Sequence, residues 1–156
     1  MISTPSDKKL FLLDAYALIF RAYYAFIKNP RINSKGLNTS AMFGFTNVLL
    51  DILQNEKPTH LAVVFDPHGP TVREDEYAAY KANRDETPED IKLAFPYIIR
   101  IIKAMNIAVY QVDKYEADDI IGTLAKKAEQ QGFDTYMMTS DKDYGQLVTD
   151  KIKIFR

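Results

Sequence analysis

The sequence predicts an α/β domain, a parallel sheet with helices on both faces. Three observations predict it. Short apolar runs alternate along the chain with helical periods of 12 or more residues, the pattern of strand–crossover–strand units. Four of those runs end at or lead directly into acidic residues, the edge where such sheets hold ligands. The chain has 156 residues, 47% of them hydrophobic and 26% charged, enough for one core and one domain.

The elements follow in order. Leu10–Leu13 is an apolar strand ended by Asp14, and Ala15–Phe26 reads as a helix. Asn38, Thr39 and Ser40 offer capping oxygens to a second helix running to about Asn55. His60–Phe65 is a β-branched and apolar strand ended by Asp66. Thr87-Pro88-Glu89-Asp90 starts a helix with a capping hydroxyl, proline at the first helical position and acids in the first turn. That helix runs to about Met105, and Pro96 is expected to kink or split it. Ile107–Val112 is a strand, Ala117–Gln131 a helix closed by Gly132, and Asp134–Thr139 a strand leading to Asp141. Lys151–Phe155 is a last short strand. No repeat, low-complexity tract or linker divides the chain.

Composition excludes several chemistries. With no cysteine, disulfides, zinc–thiolate sites, iron–sulfur clusters and thiol nucleophiles are all ruled out. His60 and His68 are the only histidines, so a histidine-rich metal site is excluded too. The net charge of −1 gives no global attraction to a polyanion, so any nucleic-acid site has to come from how charges are arranged. The apolar stretch after Lys8 and Lys9 is interrupted by Asp14, too early for a signal-peptide core. The longest uncharged stretch, Gly36 to Leu50, is too short and polar to span a membrane. A cytoplasmic location is expected.

The acids fall in a pattern. Asp14 follows the first strand, Asp66 the second, Glu116, Asp118 and Asp119 the third, and Asp141 and Asp143 the fourth. Each has a bland alternative: Asp118 or Asp119 as a helix cap, Asp141 and Asp143 as ordinary turn residues. Together they converge on one sheet edge. Carboxylates ~4–6 Å apart raise one another's pKa unless a cation sits among them, and a hard divalent ion answers that need. Two such ions ~3.5–4 Å apart stabilise the attacking and leaving oxygens of in-line displacement at phosphorus. Metal-dependent phosphodiester hydrolysis is therefore expected, with no Ser, Cys or His nucleophile required.

Between Asp66 and Thr87, the residues Arg73, Tyr77, Tyr80 and Arg84 are spaced 4, 3 and 4, with Lys81 beside them, on one face of a basic helix. This is either an amphipathic helix with its tyrosines on the core or a platform where bases stack and phosphates meet cations. Val72 is the only branched aliphatic residue of that segment, which favours the platform. Arg21, nearly two helical turns beyond Asp14, is either a phosphate contact or a solvated helix charge.

Several runs are specific: Leu12-Leu13-Asp14 with Phe20-Arg21-Ala22-Tyr23-Tyr24-Ala25-Phe26, Lys57 through Asp66, Tyr80-Lys81-Ala82-Asn83-Arg84, Glu116 through Ala125, and Ser140-Asp141-Lys142-Asp143. In order and spacing they closely resemble the 5′-to-3′ exonuclease domain of bacterial DNA polymerase I, over nearly the whole chain. The resemblance implies the PIN-like (resolvase-like) fold of the flap-endonuclease superfamily and a monomer acting on DNA with a 5′ single-stranded flap or end. It also implies two divalent ions, Mg²⁺ or Mn²⁺, held by Asp14, Asp66, Glu116, Asp118, Asp119, Asp141 and Asp143. Arg73, Lys81 and Arg84 match phosphate-steering positions of an arch over about residues 67–92, and Tyr77 and Tyr80 its aromatic ones; Arg21, Lys81 and Arg84 join the catalytic set. Residues 1–156 then form an N-terminal catalytic lobe, continuous in the parent protein with a helical DNA-gripping segment and polymerase domains beyond Arg156. In the bacterial cell it would lie at the nucleoid, and alone it should fold but cleave poorly. Two positions depart from the family: Ala15 and Ser140 stand where glycine is usual, next to expected metal ligands.

Three rivals remain. A PIN-type ribonuclease would share the acidic centre, and cleavage of matched DNA and RNA flaps separates the two. A non-catalytic nucleic-acid-binding lobe would show no metal-dependent turnover. A phosphoacceptor receiver domain would need one isolated acceptor Asp and a Lys after the last strand, and seven acids exceed that need.

Overall fold

The computed structural model describes residues 6–67 and 87–155. Along the chain run β1 (Lys9–Asp14), α1 (Ala15–Ala25), α2 (Ser40–Asp51), β2 (His60–Val64), α3 (Glu89–Ala104), β3 (Ala108–Tyr110), α4 (Ala117–Gln130), β4 (Asp134–Met138) and β5 (Ile152–Phe155). All strand pairs are parallel, in the order β3-β2-β1-β4-β5. Register places Asp14 level with Val64, and Leu13 level with Met138.

Successive strand residues face opposite sides of a sheet, so β1 serves two cores. Phe11 and Leu13, with Val63 and Phe65, pack beneath α1, α2 and α3 through Leu18, Ile19, Phe45, Leu49, Ile91 and Ile98. Leu12, with Ala62, Val64 and Met137, packs beneath α4 through Ile121 and Ala125. Helices thus cover both faces, as expected. The chain leaves β1 toward β2 and β3 on one side and returns through α4 to β4 on the other. The order of winding reverses between β1 and β4, which opens a crevice at the carboxyl ends of those strands.

Several local expectations need correction. Pro96 does not split its helix: α3 runs from Glu89 to Ala104 through it. Pro96 is exposed, so the carbonyl its missing N–H leaves unpaired can meet water. The α3 cap falls at Pro88, without a side-chain bond, rather than at Thr87. The third strand is only Ala108–Tyr110, an edge strand whose exposed ends lack a second neighbour. The second helix ends as α-helix at Asp51 and continues as a π turn, Ile52–Glu56. Of its expected capping oxygens, Thr39 makes no side-chain cap bond: Thr39 Oγ1 donates to the Arg31 carbonyl and Ser40 Oγ accepts from the Arg31 N–H, both at 2.9 Å, while Asn38 Oδ1 accepts from the Ser40 N–H at 3.0 Å. Among the described residues, no helix is long and apolar enough to cross a membrane.

Candidate metal centre

Asp14 ends β1 and caps α1, its Oδ1 accepting from the Ala17 N–H at 3.5 Å. Its other oxygen, Oδ2, accepts from the buried hydroxyl of Thr139 at 3.0 Å, which links the carboxyl ends of β1 and β4. Asp66, just beyond β2, accepts from the Ala117 N–H at 2.8 Å and so reaches the amino end of α4. Helix amino termini favour such anions. Glu116 is buried at the cap of α4, where it and Asp119 form a capping box; Asp119 Oδ2 accepts from the Glu116 N–H at 3.2 Å. Asp141 caps a 3-10 turn, Lys142–Leu147, by accepting from the Asp143 N–H at 2.9 Å.

The bland readings of these acids are therefore true as far as they go: Asp14, Glu116, Asp119 and Asp141 all cap helices or turns. The caps nevertheless gather charge in one place. Burial pushes the Asp14 carboxyl up to about 6; the Thr139 hydroxyl opposes this, Asp66 adds to it, the Ala17 amide opposes it, and Asp141 adds to it. The Tyr144 phenol is held above its ordinary value first by burial, then by Asp14, Asp118, Asp66 and Asp141. The charges of Asp66 and Asp141 thus bear on Asp14 at the carboxyl ends of β1, β2 and β4, and Asp118 joins them in bearing on Tyr144.

Asp143 is exposed on the 3-10 turn, joined to Asp141 through its own backbone. Asp119 lines shallow clefts on α4 together with Thr123. Arg21 is exposed on α1 and lines a cleft of about 450 Å³ with Tyr16, Ala17, Phe20, Tyr24 and Ser140. That cleft abuts the acids on both sides, since Ala17 bonds Asp14 and Ser140 precedes Asp141. Arg73, Tyr77, Tyr80, Lys81 and Arg84 lie outside the described residues. Residues 89–92, at the end of the expected arch, form the first turn of α3, where Ile91 is buried.

Ala15 and Ser140 need no glycine. Neither is among the residues of positive φ, and Ala15 is buried in the first turn of α1. Two participants escape a reading of the sequence. Thr139 reads there as the last residue of a strand, and Tyr144 as one aromatic among many; neither carries a local signal of its contacts.

Among the described residues, no group of three or more acidic or histidine side chains is placed to hold a metal ion. The donor chemistry at these strand ends still suits a hard cation, since the acids supply only oxygen atoms. The buried hydroxyl of Tyr144, on which the charges of Asp14, Asp118, Asp66 and Asp141 bear, has no hydrogen-bond partner.

A family model for the N-terminal resolvase-like domain of 5′-3′ exonucleases matches residues 9–156. The chain is 43% identical over 148 residues to DNA polymerase I of Bacillus subtilis (strain 168), covering 94% of this chain and 16% of that protein. It is 44% identical over 145 residues to DNA polymerase I of Chloroflexus aurantiacus, covering 93% and 15%. The chain therefore spans about 16% of the length of the curated relatives it matches. Among solved structures, the T5 D15 protein co-crystallised with metal ions aligns with a TM-score of 0.67 at 21% identity, over 95% of this chain and 54% of that one. The catalytic core of Rad2 in complex with a DNA substrate aligns at 0.52 and 18% identity, over 87% and 40%. These two likenesses show a shared fold.

Proposed function

The chain belongs to the family of N-terminal resolvase-like domains of 5′-3′ exonucleases, and we propose that it is the catalytic lobe of a metal-dependent 5′-3′ exonuclease and flap endonuclease. Its substrate is DNA with a 5′ single-stranded end or flap, met during primer removal and repair. The observation that carries the reading is the bonding that ties Asp14 to Asp141 through Thr139, and Asp66 to the start of α4, at the carboxyl ends of parallel strands.

Asp14, Asp66, Asp118 and Asp141 would hold divalent cations, Mg²⁺ or Mn²⁺, with Glu116, Asp119 and Asp143 as the further acids of a two-ion set. Bound ions supply positive charge to a phosphodiester and activate water for in-line attack at phosphorus. The protein's part is placement. Thr139 and the Ala17 amide each bond one oxygen of Asp14, and the Ala117 amide bonds one of Asp66, so both carboxylates are held in orientation while their oxygens keep further lone pairs for a cation. Arg21, in the cleft beside them, meets a phosphate of the strand. Arg73, Lys81 and Arg84 contact phosphates of the single strand, and Tyr77 and Tyr80 stack on its bases. The lobe works as a monomer, joined to polymerase domains and acting at the bacterial nucleoid. The T5 D15 protein crystallises with metal ions and the Rad2 core with a DNA substrate, and both share this fold, which supports pairing ions with nucleic acid here.

The test is cleavage of a 5′-labelled flap DNA with Mn²⁺ or with EDTA. Ion-dependent cleavage that Asp66→Asn abolishes is expected. Cleavage that persists in EDTA or in Asp66→Asn would overturn the assignment.

A further inference from the structure

Tyr144 is 3% exposed and belongs to the core beneath α4 with Leu12, Val64 and Ile121. A phenylalanine would fill that place as well. Yet the chain carries a hydroxyl there, buried and without a hydrogen-bond partner; among the described residues only Thr135 Oγ1 shares that state. A buried, unpaired hydroxyl costs stability, so native proteins keep few of them. This one sits on the 3-10 turn that Asp141 caps. The charges of Asp14, Asp118, Asp66 and Asp141 all bear on it. It is a buried donor on which several carboxylates bear.

We infer that Tyr144 is a positioning residue of the divalent-ion centre, its buried hydroxyl orienting the carboxylates around it for a cation. The inference rests on the proposed ion centre and deepens it. With a cation bound, the hydroxyl would donate to a neighbouring carboxylate oxygen and so orient that carboxylate's remaining lone pairs. Groups that orient metal ligands from behind typically change ion affinity by ~10–100-fold when removed. The phenol remains protonated throughout; it is a fixed donor.

Tyr144→Phe tests this, because it removes one oxygen and leaves the packing ring. Thermal denaturation of the chain and the variant is followed in EDTA and across a Mn²⁺ titration. In EDTA the variant should melt at the same or a higher temperature, since an unpaired hydroxyl is gone. With Mn²⁺, the concentration giving half of the full stabilisation should rise by ~10-fold or more. An unchanged Mn²⁺ dependence overturns the inference while leaving the ion centre standing. A lower melting temperature in EDTA also overturns it, by assigning the hydroxyl a purely structural bond. If the parent chain itself shows no Mn²⁺ stabilisation, the ion centre falls and this inference with it.

Discussion

The Thr139 hydroxyl donates to Oδ2 of Asp14 at 3.0 Å, a buried bond between residues 125 apart in the chain that fastens the ends of β1 and β4. Thr139 Oγ1 also accepts from the Asp141 N–H at 3.1 Å, so one side chain orders two of the converging acids. Thr139→Val keeps the shape and removes both bonds. It should destabilise the fold by about 1–3 kcal/mol, the cost of leaving buried polar groups unsatisfied. Thr139→Ser should restore most of this. Urea denaturation of the three proteins checks both statements.

The protonation of Asp14 gives stability a pH dependence with a definite sign. Its carboxyl sits at about 6 when folded, against an ordinary 3.8, because of burial above all. The folded state therefore holds a proton that the unfolded chain has already lost between those values. The stability this proton lends is fully present below about pH 4 and is lost as pH rises through about 6. The difference converts to at most about 3 kcal/mol. Asp134 runs the other way: burial pushes it up, but the Ser6 amide and Lys151 outweigh burial and hold it below the ordinary range, so its contribution is lost on acidification. In EDTA, unfolding free energy should fall from pH 4 to 7, and Asp14→Asn should flatten that fall. Equal slopes in the two proteins would contradict the account.

Asp66 has a structural duty alongside its proposed ionic one. Its Oδ1 accepts the Ala117 N–H at 2.8 Å, one of the orphan donors at the start of α4. Asp66→Asn retains an acceptor there and should leave stability in EDTA equal or higher as like charge is relieved. Asp66→Ala should lose about 1 kcal/mol, the usual cost of a missing cap. Melting temperatures in EDTA distinguish the two.

Gly44 sets the approach of α2 to α1. A Cβ there would lie 2.7 Å from Ala22 Cβ, nearer than packed carbons approach. Gly44→Ala should therefore cost about 1–3 kcal/mol despite alanine's better helix propensity. Chemical denaturation measures it.

Lys81 and Arg84, outside the described residues, carry the single-strand proposal. The Lys81→Ala, Arg84→Ala double variant should weaken binding to single-stranded DNA of any sequence. It should also flatten the salt slope by ~0.7 for each phosphate no longer neutralised. Tyr80→Ala should cost about 1–3 kcal/mol because one base is no longer stacked. Fluorescence anisotropy over a salt series checks both.

The fold and the acids at its strand ends are legible in the sequence because two signals are local. An apolar run that ends in Asp14 or Asp66 marks both a strand and its carboxyl end, and the parallel sheet turns those ends into one edge. Sheet order is not legible, since nothing in β4 announces β1 as its neighbour. The short β3 reads too long because Ile107, Gln111 and Val112 share its apolar or extended character without a pairing partner on both sides. Pro96 reads as a helix breaker because its exposure, which makes the missing bond tolerable, depends on how α3 packs. Thr139 and Tyr144 stay hidden for the same reason: their chemistry lies in contacts across the sheet.

The central claim is that the acids at the β1–β4 crevice bind divalent cations, and Mn²⁺ binding followed by electron paramagnetic resonance tests it most directly. The free-ion signal should fall as the chain is added. Asp14→Asn, Asp66→Asn and Asp118→Asn should each leave more Mn²⁺ free at equal concentrations. Full-strength binding in all three variants, or none in the parent chain, would contradict the claim.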